Sequence, residues 1–174
     1  MNPLSYNRVG ETGIPLDSFN CGGFALGTFE WYDPDSYDVL KYQRDMPMEE
    51  KLEYFAEDLM RDCPHLIRVD SPRNIPKRFK VIGFRLDPNP EEWDVGGDCS
   101  ECEDGDCDNC VPEGIIRDFH FILRYKGVWY HKPGPFFIRK FVGNIYDPWG
   151  EEHDMSYDSE ILWFIDKSER FGLE

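Results

Sequence analysis

The run Asp118-Phe119-His120-Phe121-Ile122-Leu123-Arg124-Tyr125-Lys126-Gly127-Val128-Trp129-Tyr130-His131 sets the fold class of this chain. Alternate side chains of an extended strand point to opposite faces, which places Asp118, His120 and Ile122 on one face and Phe119, Phe121 and Leu123 on the other. Lys126-Gly127 reads as a two-residue hairpin turn, with glycine supplying positive φ. A strand over 115–125 is then followed by a second over 128–131, and Tyr125 pairs with Val128. That register puts His131 opposite Ile122, on the face of His120 and diagonal to it, with backbones about 7–8 Å apart and imidazoles within reach. A slip of one residue would send the two histidines to opposite faces.

Outward from the hairpin, Lys80-Val81-Ile82-Gly83-Phe84-Arg85-Leu86 reads as a strand stopped by Asp87-Pro88, and 136–141 and 160–165 are further short strand-type runs. Upstream, a helix from Pro47 to Asp62 is predicted from Met48, Leu52, Phe55, Ala56, Leu59 and Met60 at three- and four-residue spacing. Proline at its start, Glu49 and Glu50 in its first turn and Pro64 after its end are the expected punctuation. A second helix is predicted from Gly22 to Tyr32, closed by Asp33-Pro34. Residues 1–19 read as an irregular lead-in broken by Gly10, Gly13 and Pro15. Helices first and strands later predict an α+β fold, an antiparallel sheet packed against the early helices. There is no internal repeat and no dividing linker, so 1–174 reads as a single domain carrying a polar insertion at 94–113.

Of 174 residues, 40% are hydrophobic and 16% aromatic, too many for a disordered chain. Thirty-five acidic against 19 basic side chains give a net charge of −16. That argues against direct binding of a nucleic-acid backbone or an anionic membrane, both of which need basic surface. A basic partner remains open beside the plainer reading of a solvated acidic surface. The N-terminus lacks the apolar core of a secretory signal, and no run has the length of a membrane span. The expected compartment is the cytoplasm, where six cysteines point to metal or catalysis before disulfides.

Phe19-Asn20-Cys21-Gly22-Gly23-Phe24-Ala25-Leu26 places a cysteine at the start of a predicted helix. Unpaired N–H groups there stabilise a thiolate, so Cys21 is expected to have a low pKa and to be nucleophilic. The alternative is a small buried core residue. A thiol nucleophile needs a base, and the base needs a group that fixes its orientation. Cys21, His120 and His131 can fill those roles; otherwise His120 is a core histidine and His131 a strand-edge residue.

Asn20-Cys21-Gly22-Gly23-Phe24 resembles the Asp/Asn-Cys-Ser/Gly-Gly-Phe nucleophile segment of NlpC-type endopeptidases, a branch of the papain-like cysteine hydrolases. His120 and His131, eleven residues apart around a glycine turn, match the strand-borne base and second polar residue of that family. Asp118-Phe119-His120-Phe121 through His131-Lys132-Pro133-Gly134 is also similar to uncharacterised bacterial and phage proteins of papain-like appearance. The resemblance covers under half the chain. It implies a papain-like, NlpC-like fold and a Cys21–His120–His131 triad that cleaves an amide or peptide bond through an acyl-enzyme. The absent signal and the cysteine-rich insertion depart from secreted wall hydrolases, which puts a peptidoglycan substrate in question more than the triad.

Cys99-Ser100-Glu101-Cys102 and Cys107-Asp108-Asn109-Cys110 form two Cys-x2-Cys knuckles four residues apart. Four thiolates so spaced can enclose a tetrahedral Zn²⁺, and a closed Cys₄ set has no open position, so the zinc would be structural. Disulfides or a redox pair are the other reading. Cys63-Pro64-His65 lacks a partner pair and reads as incidental, and His153, within Gly150-Glu151-Glu152-His153-Asp154, reads as surface loop. Asp118 either tunes His120 or is a solvated strand residue. The five tryptophans read as core or groove lining.

Two functions follow. The first is a cysteine hydrolase acting on a peptide or amide substrate, which could be a protein. The second is a catalytically silent, acidic, zinc-containing binding or inhibitor protein of the phage- or host-interaction kind.

Overall fold

A computed structural model describes residues 2–89 and 115–168. The fold is α+β, built on one six-stranded antiparallel sheet. The strands are β1 (Leu66–Val69), β2 (Lys80–Asp87), β3 (Asp118–Tyr125), β4 (Val128–His131), β5 (Arg139–Lys140) and β6 (Leu162–Asp166), in the spatial order β1-β6-β2-β3-β4-β5. β2 lies at the centre between β6 and β3, and all eight of its residues are buried. Its nearly continuous apolar run is what a strand covered on both faces requires.

The hairpin takes the register that its two-residue turn sets. Tyr125 pairs with Val128, Arg124 with Trp129 and Leu123 with Tyr130. Lys126 and Gly127 both have positive φ, 50° and 81°, as a type I′ turn demands.

Four short or long helices precede the sheet: α1 (Val9–Thr12), α2 (Cys21–Ala25), α3 (Tyr37–Leu40) and α4 (Met48–Asp62). The predicted stripe of α4 buries Leu52, Phe55, Ala56 and Leu59. These join Phe84, Phe119, Phe121, Leu123 and Phe164 in the larger core, where Phe84 and Phe121 meet edge-on at 4.8 Å. The opposite face of the sheet carries a second core of Val81, Ile122, Trp149, Tyr157 and Trp163. It is roofed by the segment 141–161, pinned by Arg85, whose Nε donates to the Ser159 carbonyl (2.6 Å) and Nη1 to that of Asp147 (2.9 Å). The early helices pack on one face of the sheet as expected, and this roof covers the other, for which the sequence carried no expectation.

Other boundaries moved too. The helix expected from Gly22 to Tyr32 ends at Ala25. Gly27 (φ 72°) and Phe29 (φ 55°) turn left-handed, and the amides of Thr28 and Phe29 both donate back to the Gly23 carbonyl. The strand expected over 136–141 shrinks to Arg139–Lys140, with Phe136 and Phe137 exposed. The irregular lead-in contains 3₁₀ turns at Pro3–Asn7 and Leu16–Ser18, and α1 between them. β1 and α3 had no expectation. Among the described residues no helix is long and apolar enough to cross a membrane. The insertion at 94–113, with Trp93 before it, lies outside the described residues.

Candidate active site

The site begins with Asn20, buried at the cap of α2. Its Oδ1 accepts from the amides of Gly23 and Tyr32, both at 3.0 Å, and its Nδ2 donates to the Tyr32 carbonyl at 2.7 Å. One side chain thus caps the helix and staples the returning loop to it. Gly23 is demanded by that return, since a Cβ there would lie 1.8 Å from the Glu30 carbonyl oxygen. At Gly22 a Cβ would come within 3.1 Å of the Phe121 and Tyr32 rings. Packing therefore accounts for both glycines beside Cys21 without appeal to chemistry.

Cys21 opens α2 and lies against β3, where the backbone N–H groups of Phe121 and Gly22 favour the anionic form of its sulfur. β3 and β4 bring the two histidines together, with His120 Nε2 and His131 Nδ1 3.0 Å apart and the rings nearly perpendicular. Tyr157 stacks on His120 at 5.1 Å, and Phe141 abuts His131 at 5.2 Å. Both imidazoles are buried and held between the hairpin and its roof. Cys21, His120 and His131 line one cavity of about 300 Å³, whose other walls include Asp118, Tyr157, Trp31 and Phe136.

Burial controls the charges. It pushes the Cys21 thiol up to about 12, with Asp118 adding to the rise and the two backbone donors and Lys132 opposing it. The low-pKa thiolate expected from the helix start is thereby corrected. α2 has only five residues and so a weak terminal field, while the side chain is 6% exposed and loses hydration of its anion. Burial likewise holds His120 well below the ordinary histidine value, helped by repulsion from His131 and His153. His131 is lowered to about 4 by burial, then by Arg139 and His153. At neutral pH the three groups rest as a thiol and two neutral imidazoles, a set in which one ring can take the thiol proton without first losing its own.

Lys132 was named in the sequence only within a motif and given no role. It is fully buried, its Nζ donating to the carbonyls of Phe19 (2.8 Å) and Gly134 while lying 4.6 Å over the Phe19 ring. It clamps the chain entering Cys21 to the chain leaving β4, and burial lowers its pKa to about 8. Asp118 is no solvated strand residue. It lines the cavity and accepts from the Tyr157 hydroxyl at 2.8 Å, and burial raises its pKa.

His153, expected on a surface loop, also lines the cavity, stacked on Phe136 at 5.4 Å with planes 6° apart. It arrives on a 3₁₀ turn, Glu151–His153, together with Glu152, and no local sequence signal marks that arrival. Cys63 is buried in the larger core and His65 faces Asp166 at 3.5 Å, consistent with an incidental pair. Trp149 and Trp163 are core, whereas Trp31 is exposed at the cavity. Among the described residues no three His, Cys, Asp or Glu are grouped as for a metal; Cys99, Cys102, Cys107 and Cys110 lie outside them. The chain matches no family model, and comparison with curated proteins and with solved structures gives no significant match.

Proposed function

We propose that this protein is a cytoplasmic, papain-like cysteine hydrolase that cleaves an amide or peptide bond through Cys21, His120 and His131. The observation that carries the reading is the 3.0 Å contact between His120 Nε2 and His131 Nδ1 in a cavity that Cys21 shares. That contact occupies one nitrogen of His120 and leaves Nδ1 as the base. Sγ of Cys21 bonds to the substrate carbonyl carbon as the thiol proton passes to His120 Nδ1. The oxyanion takes a hydrogen bond from the Cys21 N–H at the helix start. Collapse breaks the C–N bond, the amine leaves with the proton from His120, and water attacks the thioester with His120 again as base. The products are a carboxylic acid, an amine and the free thiol.

Labelling by a small electrophile such as iodoacetamide tests this. A thiol with a pKa near 12, unaided, would react about tenfold faster for each unit of pH through the neutral range. With His120 as base, the rate instead follows the fraction of neutral imidazole. Because the His120 pKa is lowered, that fraction stays complete as pH falls past 6.5 and is lost only well below it. The expected profile for Cys21 is fast and flat from pH 8 to 6.5, becoming slow and steep in His120→Asn. A steep profile in the parent protein, unchanged by the substitution, would instead support the binding protein, which the near-complete burial of Cys21 favours.

We further propose that Cys99, Cys102, Cys107 and Cys110 hold one structural Zn²⁺, a reading supported by their spacing alone. Protein purified without chelator is expected to carry one zinc per chain, released when a mercurial titrates the thiols. Zero zinc with four free thiols in the insertion would exclude the site.

A further inference from the structure

Beyond the triad, His131 has a second polar neighbour. Its Nε2 lies 3.6 Å from Oε1 of Glu152, and Nε2 of His153 lies 3.9 Å from the same oxygen. We propose that Glu152 is a positioning residue that fixes the tautomer of His131 and, through it, that of His120. The catalytic consequence rests on the hydrolase reading above; the tautomer assignment does not.

Only one proton can sit between His120 Nε2 and His131 Nδ1 when both rings are neutral, as burial makes them. If it belongs to His120, then His120 Nδ1 is a free lone pair, able to accept the thiol proton. His131 then carries its own proton on Nε2, pointing toward the Glu152 carboxylate. If the proton belongs to His131 Nδ1, both outer nitrogens reverse. His131 Nε2 turns a lone pair on a carboxylate, and His120 Nδ1 becomes an N–H that cannot act as base. The carboxylate selects the first arrangement. At 3.6 Å the pair is longer than a hydrogen bond, so the selection is by charge. The Glu152 side chain is 46% exposed, free to close the gap, whereas His131 is buried and fixed by Phe141. Arg139, opposite His131 on β5, repels a proton on that ring and reinforces its neutrality. His153 competes for the same oxygen, and its Nε2 is buried without a hydrogen-bond partner.

Long-range ¹H–¹⁵N correlation on histidine-labelled full-length protein reads the tautomers directly. The expected result is His120 and His131 both protonated on Nε2 and bare on Nδ1. In Glu152→Ala, His131 should shift toward Nδ1 protonation, with labelling of Cys21 slowed by about two- to fivefold, the scale of a partly exposed charge acting through one neighbour. Glu152→Gln, which keeps the shape but removes the charge, should shift the tautomers in the same direction as Glu152→Ala, because the selection is by charge. His131 protonated on Nδ1 in the parent protein would overturn the proposal, as would unchanged tautomers and labelling in Glu152→Ala. The parent spectrum decides even if a variant fails to fold. Expected tautomers with an inert Cys21 would refute the hydrolase reading and leave the Glu152 assignment standing.

Discussion

Asparagine at His120 is expected to slow acylation of Cys21 by an activated ester about 10²–10⁴-fold, the usual worth of a well-placed general base. That loss corresponds to about 2.7–5.5 kcal/mol of barrier. Its origin is the high proton affinity of the buried thiol, which burial and Asp118 push up to about 12. Without an adjacent acceptor, almost none of it is thiolate at neutral pH. Asparagine suits the test better than alanine, because the His120 ring is packed against Tyr157 and Trp149 and its deletion would open a void. The readout is the burst of p-nitrophenol from p-nitrophenyl acetate, followed by mass spectrometry of the acyl adduct. Cys21→Ala should abolish burst and adduct together. Cys21→Ala with a full burst, or His120→Asn acylated at the parent rate, would refute the proposed triad.

Alanine at Gly23 is expected to destabilise the fold by about 3 kcal/mol or more, at the upper end for forcing extra volume into a packed interior. Its Cβ would lie 1.8 Å from a backbone oxygen, that of Glu30, which no rotamer change can relieve. The loop that must move is held by the Thr28 and Phe29 amides on the Gly23 carbonyl and by Asn20 on Tyr32. Gly22→Ala is the control: its new contacts, 3.1 Å, are with the Phe121 and Tyr32 side chains, and about 1 kcal/mol is expected. Urea unfolding of the two variants measures the difference. Gly23→Ala within 0.5 kcal/mol of the parent protein would mean that the loop does not close on α2 as described.

Parts of this site could be read locally. The alternation in β3 and the Lys126-Gly127 turn are short-range constraints, and together they fix which residues share a face and which lie diagonal. His120 and His131 could be paired from that alone. α4 was equally legible, because its stripe and its flanking prolines are local signals. α2 was over-extended, because what stops it is a return loop whose anchors, Asn20 and Gly23, act through contacts with Glu30 and Tyr32. The second core was unread, because its roof over 141–161 is irregular and has no period to recognise.

By itself, then, the sequence determined an α+β chain, an antiparallel hairpin in one register, and two histidines on one face of it. Those features depend on side-chain period and turn chemistry, which neighbouring residues settle among themselves. Only the tertiary structure brought Cys21, Glu152 and His153 around that pair, from segments that meet through packing rather than through any spacing along the chain. It alone decided the charge state as well. A helix start argues for a thiolate, but the free energy of an ion depends on the water left around it, and burial of Cys21 removes that water.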